Sequence, residues 1–172
     1  MRSPARESAV ARAARGAAGP SAAASRAAWT VTETGWGPIR AGMSLAEARA
    51  ALGGVLPDPT NPQCDHVAPP GGPMGLLLMT VAGEVARVEV TDSTVATASG
   101  ARVGDTEARV NQLYAGRVQT VPHKYTHGHY LIVRRGPGVD SLYRLVFETD
   151  GQRVTLYRAG RFPEVEWVEG CS

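Results

Sequence analysis

The densest group of side chains that could do chemistry is a run of histidines in the second half of the chain. Three of the four histidines among 172 residues lie within seven positions, at His123, His127 and His129. On a strand, His127 and His129 would point the same way and could share a Zn²⁺ ion with His123 as a third ligand. Gly128 interrupts the strand pattern, however, and no nearby carboxylate or cysteine completes a tetrahedral set. We predict no metal and no cofactor; if a metal does bind, these three histidines hold it.

The short motifs that mark common enzyme classes are missing from the sequence. It contains no G-x-S-x-G, no G-x-x-x-x-G-K-[ST], no H-E-x-x-H and no C-x-x-C. The only lysine is Lys124, which leaves a single candidate for Schiff-base chemistry. We therefore expect no catalysis. The alternative is a metal-dependent or hydrolytic enzyme that combines the His123–His129 segment with acids such as Asp140 or Glu148.

The two cysteines, Cys64 and Cys171, have no catalytic context. An even count fits one disulfide in an exported protein, which would tie the end of the chain to its first half. Two buried thiols in a cytoplasmic protein are the alternative. We favour pairing, because the terminal Glu169-Gly170-Cys171-Ser172 offers little other reason for a cysteine.

Aromatic and arginine side chains at strand spacing suggest a contact surface. Tyr130 and Arg134 share one face of their strand, and so do Arg153 and Tyr157. These residue types are enriched at interface hot spots. Half-buried aromatics that cover the edge of a small core are the competing interpretation. The four residues are our predicted binding residues.

The elements that would position these residues come from an apparent internal repeat. Residues 39–48 align with residues 101–110 at an offset of 62, and Leu77-Leu78-Met79 aligns with Leu145-Val146-Phe147 at an offset of 68. Ser44-Leu45-Ala46-Glu47 is a capping box that predicts a helix start, and Thr106 is the equivalent cap. Runs rich in β-branched and aromatic residues predict strands after each helix. These runs are 75–81, 85–90, 129–135, 142–149 and 152–158, with a possible last strand at 164–168.

This pattern predicts an α+β protein made of two tandem repeats. Each repeat would be a short helix followed by a three- to four-stranded antiparallel sheet, over residues 29–98 and 99–172. Whether the two sheets join into one continuous sheet stays open. Residues 1–28 contain twelve alanines and no Leu, Ile or Phe, which predicts a disordered Ala/Arg-rich tail or a remnant leader.

Charge and hydropathy exclude several classes of function. Residues 1–30 carry five arginines and one acid, whereas residues 31–172 carry 13 basic and 15 acidic residues, so the folded part is slightly acidic. Such a balance argues against a nucleic-acid partner. No apolar run approaches the roughly 18 residues of a membrane-spanning helix.

The helix starts carry a resemblance to a known family. I-x-x-G-[MD]-[ST] leading into a short helix, at Ile39, Gly42, Met43, Ser44 and Gly53, resembles the BamE/SmpA-type outer-membrane assembly lipoproteins. Gly104, Thr106 and Gly116 repeat it more weakly, and the doubled form is similar to the β-lactamase-inhibitory-protein fold. The chain departs from the lipoproteins in having no lipobox cysteine near its N-terminus.

The resemblance implies a periplasmic or secreted module that binds without catalysis. We therefore expect a protein or cell-envelope component as partner, recognised through a sheet face, with no nucleic acid and no membrane span. A purely structural envelope protein is a further alternative, and whether the protein is a monomer or a dimer stays open.

Overall fold

The structure is a computed structural model that describes residues 26–136 and 138–172, and only the backbone of Val139 and Asp140. Two short helices are α1 (Leu45–Ala51) and α2 (Glu107–Leu113), and 3-10 turns span Gly138–Leu142 and Glu164–Glu166. The strands are β1 (Val31–Thr32), β2 (Gly35–Trp36), β3 (Ile39–Arg40), β4 (Cys64–Val67), β5 (Leu76–Val81), β6 (Glu84–Val90), β7 (Val118–Pro122), β8 (His129–Arg134), β9 (Tyr143–Thr149) and β10 (Val154–Arg161).

Both helices begin where the sequence predicts. The Ser44 hydroxyl accepts a hydrogen bond from the Glu47 amide at 3.2 Å, and the Glu47 carboxylate accepts from the Ser44 amide at 2.8 Å. These two bonds complete the capping box. At α2, Thr106 accepts from the Arg109 amide at 3.1 Å. Each cap satisfies an amide that the first helical turn leaves unpaired.

The dominant feature is one seven-stranded antiparallel sheet with the order β4-β5-β6-β10-β9-β8-β7. The two halves of the chain meet at its centre, where β6 pairs with β10 and Val88 lies opposite Ala159. The two-residue segments β1, β2 and β3 form a separate small sheet. Strands β4 and β7, the first and last in the order, are the edges of the large sheet.

The expectation of two tandem helix-plus-sheet repeats is wrong. The described chain is mostly β, with ten strands in two antiparallel sheets and two helices of only seven residues each. The shared sheet that the sequence left open is the arrangement present, because pairing of β6 with β10 satisfies two strand edges that separate sheets would leave open. Strands from both sides of the predicted boundary near residue 98 therefore belong to one sheet. The strand considered at 164–168 is instead the turn Glu164–Glu166.

The predicted N-terminal tail falls mainly on residues 1–25, which lie outside the described part of the chain. Arg26, at the end of that segment, donates hydrogen bonds to the carbonyl oxygens of Pro70 and Leu52. Trp29 packs edge-on against buried Trp36, with ring centroids 4.8 Å apart. The fold thus includes Arg26, which the sequence interpretation assigned to the tail, whereas Trp29 belonged to the predicted first repeat.

Side chains alternate between two faces of the large sheet. The face toward the helices, here called the core face, carries the main apolar cluster, which includes Ile39, Leu52, Leu78, Val88, Val110, Leu131, Phe147 and Tyr157. The opposite face carries a smaller cluster of Tyr130, Ile132, Val146 and Val165. Residues 162–172, the C-terminal strap, lie against this second face, which we call the strap face.

Candidate functional site

The C-terminal strap is cross-linked to the edge of the large sheet. Cys64 of β4 and Cys171 form a disulfide with Cα atoms 5.3 Å apart, joining positions 107 residues apart. The predicted pairing is confirmed. Because the cross-link lies near the chain end, it fixes the strap across the sheet from β10 back to β4.

Two buried arginines hold the middle of the strap. Arg87 of β6 and Arg158 of β10 are each 2% exposed. Their Nη1 atoms donate to the carbonyl oxygen of Trp167 at 2.6 Å and 2.7 Å. Arg87 also donates to the carbonyl oxygen of Glu164 at 2.7 Å. The strap backbone is thereby bonded to two adjacent strands, which limits its freedom to move.

Each buried arginine is balanced by one carboxylate. Arg87 pairs with Glu89 through Nε at 2.7 Å, and Arg158 pairs with Glu148. Burial lowers the pKa of Arg87, although the charge of Glu89 opposes that effect. Burial would raise the pKa of Glu89, but the charges of Arg87 and His66 outweigh that effect. The pKa of this carboxyl is therefore lowered from its ordinary value, and the group is ionised at neutral pH. The charges are therefore retained and compensated beneath the strap.

A histidine extends each pair. His66 Nε2 lies 3.2 Å from Glu89 Oε1, and His123 Nε2 lies 3.4 Å from Glu148 Oε2. The sequence interpretation missed these arginine–glutamate pairs as site residues. The available signal was Arg87 and Glu89 two positions apart on an apolar strand. That spacing, however, is also typical of a solvated face.

Two concave spaces flank the strap. A cavity of about 570 Å³ is lined by Cys64, Lys124 and residues 166–172. A groove of about 130 Å³ lies between the strap and the sheet, and its lining is Val121, Tyr130, Ile132, Val146, Arg158, Glu166 and Val168. Glu166 and Val168 belong to both linings, so the cavity and the groove adjoin along the strap.

Exposed aromatic side chains lie beside the cavity. Trp167 is 39% exposed and Tyr125 is 57% exposed. The Tyr125 hydroxyl donates to the Glu169 carboxylate, and Lys124 forms an ion pair with the same carboxylate at 3.1 Å. Lys124 also lies over the Tyr125 ring, 4.8 Å from its centroid. The loop after β7 and the strap thus present rings and charges together.

The four predicted binding residues do not lie on one surface. Tyr130 and Arg134 share the strap face, where Tyr130 lines the groove and exposed Arg134 donates to Gln119 at 3.1 Å. The prediction for Tyr157 needs correction, because this side chain is fully buried on the core face and donates to the Val95 carbonyl oxygen. Arg153 lies at the turn before β10 and donates to the Gly104 carbonyl oxygen at 2.8 Å.

The histidines of the His123–His129 segment do not converge. His123 stacks on Tyr130 with centroids 4.4 Å apart, and its Nδ1 accepts from the amides of Tyr125 and Thr126. His129 is on the core-face side, 2.8 Å from Glu107, whereas His127 is exposed. Throughout residues 26–136 and 138–172, no three His, Cys, Asp or Glu side chains could hold a metal together.

One acid named for the enzyme alternative lies beside a histidine, since Glu148 Oε2 is 3.4 Å from His123 Nε2. Glu148 is already paired with Arg158, and the Asp140 side chain lies outside the described part of the chain. Burial would raise the pKa of Glu107, but hydrogen bonds from Thr149 and His129 outweigh it and lower the pKa. Glu107 is therefore ionised and partnered at neutral pH.

Comparison with known proteins gives no relative. No protein-family model, curated protein or solved structure matches the chain. No helix in the part of the chain that the structure describes is both long and apolar enough to cross a bilayer. The resemblance at Ile39, Gly42 and Met43 to the BamE/SmpA-type lipoproteins stays a prediction.

Proposed function

We propose that this protein is a non-catalytic binding module that recognises a protein or cell-envelope component through the strap face of its large sheet. The observation that carries the proposal is the strap itself, fixed by a disulfide and two buried arginines beside a cavity of about 570 Å³. A site of this kind is preformed, so a partner would bind without ordering it first.

Trp167 is the central contact in this proposal. Its carbonyl oxygen accepts from both Arg87 and Arg158, while its indole is partly exposed. A large aromatic side chain on a fixed backbone loses little entropy when a partner covers it. Tyr125, Lys124 and Glu169 would form the polar and aromatic surroundings of that contact, as is typical of binding hot spots.

The titratable groups of the strap face favour binding over catalysis. Arg87 with Glu89, and Arg158 with Glu148, are engaged with one another and with the strap backbone. A general acid or base must instead reach a substrate from an open position. Here the ionic groups support the strap, and the groups left at the surface are those suited to contact.

We place the protein outside the cytoplasm, in the periplasm or the extracellular medium. Disulfides form and persist in oxidising compartments, and the Cys64–Cys171 bond would be reduced in most cytosols. The predicted resemblance to BamE/SmpA-type lipoproteins agrees with this location and with a binding role.

The experiment that tests the proposal is site-specific photo-crosslinking in the full-length protein. A photoreactive phenylalanine analogue replaces Trp167 in one variant and Val55 in a matched control. Val55 is 57% exposed and follows α1, away from the strap. With an envelope extract of the source organism, we expect a discrete adduct only at position 167, suppressed by excess wild-type protein but not by excess W167A. Equal labelling at both positions, or none at position 167, would overturn the proposal.

A further inference from the structure

Among residues 26–136 and 138–172, the edge strand β7 has a partner on one side only. It pairs with β8, from Val118 opposite Val133 to Pro122 opposite His129. Its five residues, Val-Gln-Thr-Val-Pro, carry no charge, and only Pro122 at its end is of a type that protects sheet edges. Its N–H and C=O groups on the other side are suited to pair with another extended chain.

The opposite edge of the sheet is protected. Strand β4 is only four residues long and carries Asp65 and His66 in its interior. Its first residue, Cys64, is cross-linked to the strap. The contrast singles out β7 as the edge that can accept an added strand.

The groove on the strap face begins at this same edge. Val121 belongs to β7, and the groove continues inward over Ile132 and Val146 to Val168 of the strap. Alternate side chains of a strand added beside β7 would point to the strap face, next to Gln119 and Val121. An aliphatic side chain at such a position would enter the groove.

One of the three cations around β7, Arg134, favours an acidic guest, because the other two already have carboxylate partners. Arg117 precedes the strand and Lys124 follows it, paired with Glu33 and Glu169 respectively. Arg134, on β8, is exposed and bonds to the neutral Gln119 side chain; across the described residues it has no carboxylate partner. A carboxylate on an added strand would supply that partner.

The same charges disfavour a second copy of this chain. Antiparallel pairing of β7 with itself about Thr120 would place Arg117 of one copy opposite His123 of the other and beside its Lys124. Like charges at both ends of a short ladder oppose self-pairing.

We infer that β7 binds an extended acidic segment of a protein partner as an additional antiparallel or parallel strand. One aliphatic side chain of the segment occupies the groove over Val121, Ile132 and Val146, and one carboxylate pairs with Arg134. The inference rests on the proposed function, because it names the partner chemistry and binding mode of the same face.

The test uses a phage-displayed library of random nine-residue peptides against the full-length protein, followed by synthesis of the enriched peptides. We expect sequences that contain Asp or Glu and an aliphatic residue at alternating positions. Fluorescence anisotropy should show about tenfold or greater weakening for Arg134→Glu. Arg109→Glu, the same charge change on exposed α2, should leave affinity unchanged.

Two further measurements distinguish strand addition from other modes. N-methylation of alternate peptide amides should abolish binding, since an added strand needs those donors, and amides of β7 should become protected from hydrogen exchange. No enrichment, peptides without acids, or protection only at the strap cavity would overturn this inference. None of these outcomes affects the crosslink expected at position 167, which tests the proposed function separately. Concentration-dependent protection of β7 without peptide would identify a second copy as the occupant and likewise overturn the inference.

Discussion

Arg87 and Arg158 donate to one acceptor, the carbonyl oxygen of Trp167, from the adjacent strands β6 and β10. Two positive guanidinium groups can lie beside the same carbonyl oxygen because Glu89 and Glu148 each neutralise one of them. The strap is therefore held from the centre of the sheet, at the strand pair that joins the two halves of the chain. The stability of the central pair and the position of the strap are consequently linked.

Removing one of these guanidinium groups should strongly destabilise the protein. Arg158→Met leaves Glu148 without its buried partner and the Trp167 carbonyl oxygen with one donor fewer. We expect the free energy of unfolding to fall by about 3–5 kcal/mol, measured by urea denaturation. Arg134→Met, an exposed arginine on β8, should cost less than about 0.5 kcal/mol. Adding Glu148→Gln to Arg158→Met should recover part of the loss. Equal effects of the two arginine variants would contradict the buried pair.

The disulfide should contribute a similar free energy of unfolding to that of the buried arginine, by a different mechanism. A cross-link between positions 107 residues apart restricts the unfolded chain, which the chain-entropy model values at about 4–5 kcal/mol. Urea unfolding of the oxidised and reduced protein should differ by that order. The double variant C64S/C171S should match the reduced protein and show no response to reductant. If reductant still lowered the free energy of unfolding of the double variant, the difference between oxidised and reduced protein would not come from the Cys64–Cys171 bond.

The two helix caps offer a graded test within one chain. Ser44→Ala removes a capping box, whereas Thr106→Ala removes a single side-chain bond to the Arg109 amide. Each should cost about 1 kcal/mol, with Ser44→Ala the larger, in thermal or urea unfolding. Ala50→Ser, at an exposed position of α1, gives the reference for a loss of helix propensity alone, about 0.5 kcal/mol. A loss at Thr106 that exceeds the loss at Ser44 would contradict the observed difference in caps.

Local signals predicted the parts of this fold that depend on neighbours in sequence. Ser44 and Thr106 begin helices because their bonds span only three residues. The pairing of β6 with β10 could not be predicted in this way, since Val88 and Ala159 are brought together by the topology of the whole sheet. The repeat interpretation failed at that point.

The prediction of which side chains share a face was also wrong at one position of β10. Counting by two from Arg153 places Tyr157 on the same face, but an irregularity between Val154 and Leu156 shifts the register of β10 against β9. One extra residue reverses which side chains face the core. Tyr157 therefore joins the core face, and Leu156 lies opposite Glu148.

The buried arginines were missed for a different reason. A charged residue between apolar neighbours on a strand, as Arg87 is between Ala86 and Val88, is typical of a solvated face. Only the returning strap converts that face into an interior. The strap position depends on a disulfide whose partners are far apart in the chain. The pairing itself was predicted from the cysteine count, but what it covers was not.

The turn before β4 gives a prediction of pH dependence. The Asp65 carboxylate accepts from the Thr60 hydroxyl at 2.8 Å and from the Thr60, Asn61 and His66 amides. Hydrogen bonds from the Thr60 side chain, then from the backbone, lower the pKa of Asp65 from its ordinary 3.8 to about 2. Because the folded-state value is depressed, this contribution to stability is present above about pH 4 and is lost as the pH falls toward 2. An NMR titration of the Asp65 carboxyl carbon should therefore have its midpoint near 2.

Thr60→Val provides the matched variant for this titration. It removes the hydroxyl donor while the three backbone amides remain, so the Asp65 midpoint should rise part of the way to 3.8. Thr94→Val is the control, because Thr94 makes the equivalent bonds to Asp92. The control should raise the pKa of Asp92, which those bonds lower, and leave Asp65 unchanged. An Asp65 midpoint near 3.8 in the unmodified protein would show that the turn does not hold this carboxylate.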